Sequence, residues 1–246
     1  MIFAICIVAV VLINILFTRA HVILNIALKK RTANKNDKLN SHTSQVIDFN
    51  IQNKRSIKFQ IKQVIIKFFN GDYAKGFIRW KLCILGKIPS HRFRKFMLKY
   101  LYSMKIGKKA VIYGWDEIRN PWLITIGKET IIGDNARLDG RGTIIIGENV
   151  NFSTGVWIWT EQHDVNSPDF IGEHGAVIIK DRVWCSCRTV ILPDVTIEEG
   201  CVIAAGAVVT KNCDSFGIYA GVPAKRIGER ERNLRYCFSG SHLHFK

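Results

Sequence analysis

From residue 106 to residue 209 an apolar side chain returns every sixth position. The register reads Ile106, Ile112, Ile118, then Ile126, Ile132, Leu138, then Ile146, Phe152, Ile158, then Ile179, Cys185, Ile191, Ile197, Ile203 and Val209. Glycine often follows directly, as at Gly107, Gly127, Gly133 and Gly147. A period of six matches neither the 3.6 of a helix nor the 2 of a simple strand. It is the signature of a parallel β-helix built from hexapeptides. Each unit supplies a short strand and a corner, and three units close a triangular coil. Equivalent residues then stack at every eighteenth position, as Ile179 does with Ile197 and Ile191 with Val209. The fifth position of each unit also points inward and calls for a small or β-branched side chain. It carries Ala110, Thr130, Ala136, Val150, Val156, Val183, Thr189, Val195, Cys201 and Ala207, with Trp122 and Gln162 as exceptions near coil ends. The expected fold is an all-β solenoid of about five coils over residues 105–215, with helical segments before it and a tail over 216–246.

The rhythm breaks in three places. Ile118 to Ile126 and Leu138 to Ile146 are each two residues too long, which places an insertion at a corner. The third break, between Ile158 and Ile179, leaves a loop over 164–178. A loop of that length in a compact domain is usually functional. The plain alternative is a decorative insertion.

Charge divides the chain. Residues 1–110 hold 22 Lys/Arg against 3 Asp/Glu, whereas 111–246 hold 14 against 17, which accounts for the overall +16. The basic part opens with the apolar run Ile2 to Phe17, and Lys29, Lys30 and Arg31 close a second apolar patch. About 20 apolar residues span a bilayer core. No positive charge precedes the run and no small-residue cleavage site follows it, so a secretory signal fits poorly. With the cations behind it, a segment over 1–31 reads as a membrane anchor or interfacial helix. The rest of the chain then stays on the cytoplasmic face of the inner membrane. Residues 32–56 read as a polar linker. In 57–104, Ile61, Val64, Ile65, Phe68 and Phe69 follow helical spacing beside Lys58, Lys62 and Lys67. Such a basic amphipathic region suits a membrane surface, or equally the end of the solenoid. No nucleic-acid motif accompanies the basic charge. The seven cysteines are irregularly spaced and imply no disulfide framework. Cys185, Cys201 and Cys213 take inward positions, as small buried hydrophobes do.

The chemistry-bearing stretches flank the long loop. Trp157-Ile158-Trp159-Thr160-Glu161-Gln162-His163-Asp164 leads into it, and Val183-Trp184-Cys185-Ser186-Cys187 begins the run after it. Further on come Ile191-Leu192-Pro193, then Ala204-Ala205-Gly206-Ala207-Val208-Val209-Thr210-Lys211, then Ala220-Gly221-Val222-Pro223-Ala224-Lys225-Arg226. This ordered series resembles the hexapeptide-repeat acyltransferases, in their maltose/galactoside O-acetyltransferase-like branch, over roughly residues 105–235. The resemblance implies a left-handed β-helix, a homotrimer, and active sites between neighbouring subunits. It implies acetyl-CoA as acyl donor, a saccharide or sugar-precursor hydroxyl as acceptor, and no metal. His163 matches the family's catalytic histidine. An imidazole that titrates near neutrality suits removal of a hydroxyl proton as the thioester is attacked. Asp164 is a candidate to orient that ring or bind the acceptor, with Asp139, one coil earlier, a weaker candidate. Trp184 matches the tryptophan that lies along the pantetheine arm, and Ala205 a small residue that admits the cofactor closely. Lys211, Lys225 and Arg226 would meet the phosphates of the donor. Cys187 stands where the family places a serine near the thioester. Ser186 and Glu198 replace glycines, which would cost most if those corners need positive φ.

Two other classes compete. A γ-carbonic-anhydrase-like zinc enzyme needs three histidines, but the repeat region holds only His163 and His174. A non-catalytic, membrane-tethered trimeric scaffold is motivated by the lost glycines and by Cys187.

Overall fold

The computed structural model describes residues 2–40 and 57–241, with side chains over 8–33 and 64–241. It divides into two compact units, residues 1–78 and 79–246. In the first, α1 (Ile2–Asn40) packs against α2 (Ile57–Asn70). Phe17 from α1 meets Phe69 at 5.2 Å and Phe68 at 5.9 Å between ring centroids. The helix therefore continues through residues 32–40, which read as linker in the sequence. Residues 41–56 lie outside the described residues. Val8–Ala33 is long and apolar enough to cross a membrane.

The helix α3 (Asp72–Gly86) leads into the second unit, followed by α4 (His91–Phe96) and a π-turn at Met97–Leu101. Ser90 caps α4 by accepting the Phe93 N–H. The inward face of α4 carries the buried His91 and Arg94, where an apolar stripe would be ordinary. Arg94 donates to the Ile88 and Ile112 carbonyls and to His91 Nδ1. It thus covers the open end of the first coil, where no earlier coil exists to pair with the backbone.

The solenoid has three faces of parallel strands. The first face stacks Lys105–Ile106, Ile124–Ile126, Ile144–Ile146, Val177–Ile179 and Thr196–Ile197. The second stacks Val111–Ile112, Ile131–Ile132, Asn151–Phe152, Trp184–Cys185, Val202–Ile203 and Gly217–Ala220. The third stacks Trp115–Arg119, Ala136–Asp139, Trp157–Ile158, Val190–Ile191 and Val208–Val209. The six-residue register becomes three buried columns. One pairs Ile106, Ile126, Ile146, Ile179 and Ile197 in order. All fifteen register side chains are buried, and so are the ten regular fifth-position residues. A fully buried side chain of this size contributes about 1.5–3 kcal/mol, so the columns are the main source of cohesion. The fold is the left-handed β-helix class expected from the resemblance.

Three details differ from the sequence reading. The solenoid does not stop at 215. Gly217–Ala220 adds a sixth strand to the second face, and an antiparallel strand, Lys225–Glu229, closes it. The period hides this turn because its inward residue, Tyr219, stands ten residues after Val209. The long loop is largely a β-hairpin, with Glu161–His163 antiparallel to Gly172–His174. Finally, Ser186 and Glu198 are not the residues that turn their corners. Positive φ falls two residues later, at Arg188 (60°) and Gly200 (71°), and Glu129 and Asn149 hold the same place in earlier coils. The lost glycines therefore impose no left-handed strain at these corners.

Candidate active site

The hairpin leaves the corner between the third and first faces. Thr160, fully buried at its base, donates its hydroxyl to the Asp139 carbonyl and accepts the Gly142 N–H at 2.7 Å. Beside it, Asp139 is 2 % exposed and binds Arg141 through both carboxylate oxygens, at 2.7 and 2.9 Å. Arg141 reaches Glu161 at 2.7 Å, and Glu161 lies 3.3 Å from His174 Nδ1. The Asp139 hydrogen bond raises the Arg141 pKa, chiefly against the opposing cost of burial. This chain of charges stiffens the hairpin root. Asp139 is thus spent on structure and is not free to meet an acceptor.

His163 ends the outgoing strand with an exposed ring. Its Nδ1 lies 2.8 Å from the Phe170 carbonyl, and its ring stacks on Phe170 at 3.8 Å and 12°. A carbonyl only accepts, so Nδ1 carries a proton, and in the neutral ring Nε2 is the nitrogen with the lone pair. That is the tautomer a general base needs, held by the main chain and backed by an aromatic wall. Phe170 sits at φ +50°, an uncommon conformation for a bulky residue. Asp164 does something else. Its carboxylate accepts the Asn166 N–H at 2.9 Å, and its amide donates to the Ile171 carbonyl. Asp164 and Ser167 brace the tip, where Val165, Phe170 and Ile171 are exposed.

The residues matched to the donor lie elsewhere on the triangle. Trp184 rises from the second face, 43 % exposed, and donates Nε1–H to Ser153 Oγ at 3.2 Å. Cys187 is exposed at the corner between the second and third faces, and Ala205 stands one coil above it. The Cys187 carbonyl accepts the Gly206 N–H, and a Cβ placed on Gly206 would meet nothing within 4 Å. The corner is therefore low and open, with room for a thin chain to lie against its backbone. Lys225 and Arg226 are exposed on the closing strand, where Arg226 is 3.6 Å from Glu229. Lys211 is exposed on the corner that bears the hairpin, two coils beyond it. Within one chain, then, Trp184, Cys187 and Ala205 are neighbours, while His163 projects from a different corner.

Buried thiols behave as sequence position suggests. Burial raises the pKa of Cys185, pushes Cys201 up to about 11 and Cys213 up to about 12. Among the described residues no group of three His, Cys, Asp or Glu is placed to hold a metal ion.

Sequence reasoning missed two features. One is a groove of about 370 Å³ on the third face, lined by Thr154, Trp157, Arg188 and Val190 among others. Arg137 covers the Trp157 ring there at 4.3 Å. Arg137 and Trp157 are outward residues of the third face, and the six-residue register constrains only the inward ones. The other is a tail that folds back on the solenoid, for which the sequence carries no periodic signal.

A family model described as bacterial transferase hexapeptide (six repeats) matches residues 176–211. The WcaF protein of Escherichia coli, provisionally named a colanic acid biosynthesis acetyltransferase, is 33 % identical over 140 residues, covering 57 % of this chain and 76 % of its own. An Escherichia coli dTDP-4-amino-4,6-dideoxy-D-glucose acyltransferase is 28 % identical, with coverages of 54 % and 82 %. Among solved structures, a hexapeptide-repeat acetyltransferase of Vibrio cholerae complexed with acetyl coenzyme A superposes with TM-score 0.55 at 23 % identity, over 65 % of this chain and 91 % of that one. A maltose O-acetyltransferase of Clostridium difficile gives 0.51 at 25 %, over 62 % and 84 %.

Proposed function

The chain belongs to the hexapeptide-repeat acetyltransferase family, and on that premise we propose that it moves an acetyl group from acetyl-CoA to a saccharide hydroxyl, with His163 as general base. The observation that carries this reading is the 2.8 Å contact between His163 Nδ1 and the Phe170 carbonyl on an exposed ring, which in the neutral imidazole leaves the lone pair on Nε2. The donor supplies an acetyl thioester. Nε2 takes the acceptor's hydroxyl proton while the oxygen bonds to the thioester carbon. The imidazolium then returns that proton to the sulfur as the C–S bond breaks. Such a base contributes about 10²–10⁴-fold. Asp164 acts one step removed, by shaping the turn that presents Phe170.

The site is a cleft between copies of a homotrimer. His163 stands at one corner and Trp184, Cys187 and Ala205 around another, so one chain offers half a site on each side. The exposed Val165, Phe170 and Ile171 on the hairpin suit burial against a neighbour. Trp184 and Ala205 line the donor path, with Cys187 beside the thioester and Lys225 and Arg226 at the phosphates, while Lys211, on the His163 corner, would reach them from the neighbouring copy. The acceptor is a cell-envelope or capsular polysaccharide precursor, in keeping with the name of the WcaF relative. The helix containing Val8–Ala33 holds the enzyme at the cytoplasmic face of the inner membrane.

Acetyl-CoA turnover on a panel of saccharides and amino sugars, with His163→Ala alongside, tests the reading. Turnover is expected with hydroxyl acceptors and is expected to be lost in the variant. Equal turnover by His163→Ala removes the base, and turnover confined to amine acceptors replaces the hydroxyl.

A further inference from the structure

The helix α4 and the π-turn after it arrange their polar and apolar sides in the reverse of the usual way. A helix laid on a protein normally turns its apolar stripe inward and its charges out. Here the inward side carries His91 and Arg94 beside Leu98 and Leu101, all buried. Arg94 donates to the carbonyls of Ile88 and Ile112, and Lys95 to the Ala110 carbonyl at 2.8 Å. The outward side carries Phe93, Phe96 and Tyr100, which are 44, 56 and 58 % exposed. Their spacing of three and then four places them in one stripe. The Phe96 and Tyr100 rings sit 4.9 Å apart, so the stripe is continuous there. Arg92 and Lys99 flank it, both exposed, and the Lys99 ammonium lies 5.5 Å from the centre of the Tyr100 ring. In the same unit, Trp80 and Ile84 of α3 are exposed as well.

Closing the first coil requires only the inward side of α4. The charge around the rings identifies what the outward side meets. Residues 73–115 hold 11 Lys/Arg and no Asp/Glu. A second copy presenting the same stripe would bring cations against cations, which disfavours self-pairing. An anionic lipid surface offers phosphates to Arg92 and Lys99, and an interfacial layer in which aromatic side chains concentrate. Helices that combine cations with an aromatic stripe lie in the plane of that layer. The chain also carries Val8–Ala33, long and apolar enough to cross a membrane, so a bilayer is a surface it meets on the reading given above.

The geometry points to α4 and its π-turn as a lipid-docking surface: Phe93, Phe96 and Tyr100 enter the interfacial layer of an anionic membrane, Arg92 and Lys99 meet its phosphates, and the opposite side of the same helix closes the solenoid. This rests on the membrane reading of Val8–Ala33, and adds to it a second contact that turns the first coil toward the lipid.

The test uses the full-length protein in vesicles of equimolar phosphatidylcholine and phosphatidylglycerol, against vesicles of phosphatidylcholine alone. Phe96→Trp exchanges one exposed ring for another and places a fluorophore in the stripe. Brominated acyl chains quench it only if it lies in the membrane. The emission that Phe96→Trp adds to wild type is expected to fall at least about twofold with brominated lipid in the anionic vesicles, and little in the others. Adding Arg92→Glu and Lys99→Glu removes both cations, and at about fivefold per cation near an anionic surface is expected to abolish that quenching. Added emission that stays unquenched while the protein sediments with anionic vesicles overturns the docking surface and leaves the anchor reading standing. Failure of wild type to sediment with either vesicle overturns both. Equal quenching in the two kinds of vesicle, or quenching that survives the charge reversal, overturns the choice of an anionic surface. A blue shift of the added emission that grows with protein concentration in lipid-free detergent shows the stripe covered by a second copy, and overturns the proposal.

Discussion

A site shared between subunits can be tested by mixing two damaged proteins. His163→Ala removes the proposed base and is expected to cost about 10²–10⁴ in turnover. Trp184→Ala removes a ring that is 43 % exposed in the single chain and is expected to cost about tenfold in kcat/KM for acetyl-CoA. The two side chains leave different parts of one triangle, so in the proposed trimer a site would take His163 from one copy and Trp184 from the next. Unfolding and refolding an equal mixture assembles trimers at random. One site in about four then receives an intact His163 from one variant and an intact Trp184 from the other. With the residual Trp184→Ala sites added, the mixture reaches just over about one quarter of wild-type activity. If each chain held its own complete site, the mixture would show only half of the Trp184→Ala activity, about one twentieth of wild type. Thiol release from acetyl-CoA, measured well below KM, separates these two values by about fivefold. A mixture no better than the mean of its parts refutes the shared site, and with it the argument from corner separation.

Other consequences follow from single side chains. Phe170→Ala removes the ring stacked on His163 but keeps the carbonyl, so kcat is expected to fall about 2- to 13-fold, from 0.5–1.5 kcal/mol of stacking, with little change in donor KM. An unchanged kcat shows that the main-chain bond alone orients the ring. Thr160→Val leaves the Asp139 carbonyl and the Gly142 N–H without their hydroxyl partner, and chemical denaturation should register a loss of about 1–3 kcal/mol. Ile191→Ala opens a cavity in a column with no exposed surface and should cost about 2–5 kcal/mol by the same assay. Burial raises the pKa of Cys201 and Cys213 to about 11 and about 12, above the ordinary thiol value of about 8.5. Their neutral forms therefore stabilise the fold fully below that ordinary value, and this contribution is lost as pH rises towards 11 and 12. A Cys201→Ala variant should lose less stability between neutral and strongly alkaline pH than wild type; an equal slope would place the alkaline sensitivity elsewhere.

The solenoid was legible because its constraint repeats. A side chain that faces the axis at Ile126 faces it again at Ile132 and Leu138, and the period accumulates over fifteen positions. The candidate base was legible for the opposite reason: His163 sits where the period fails. What could not be read is what depends on single, non-repeating contacts. Nothing in the local sequence makes Arg94 a buried end-cap, because its partners, the carbonyls of Ile88 and Ile112, are main-chain atoms whose positions exist only after folding. Asp164 shows the same limit at closer range. Adjacency to His163 suggested a catalytic pair, yet successive side chains on an extended strand diverge, and its carboxylate closes an Asx turn at Asn166. The corner residues Ser186 and Glu198 carry the argument one step further. Their glycine-to-side-chain changes looked like damage because glycine in a repeat is usually explained by φ. The φ requirement sits two residues on, at Arg188 and Gly200. The glycines at the same place in earlier repeats, Gly107, Gly127 and Gly147, record a different constraint, because a Cβ on each would collide with the next coil; Ser186 and Glu198 carry half-buried side chains there without a left-handed backbone. Cys187, on the proposed donor path, is a departure that changes chemistry, an exposed thiol in place of a hydroxyl.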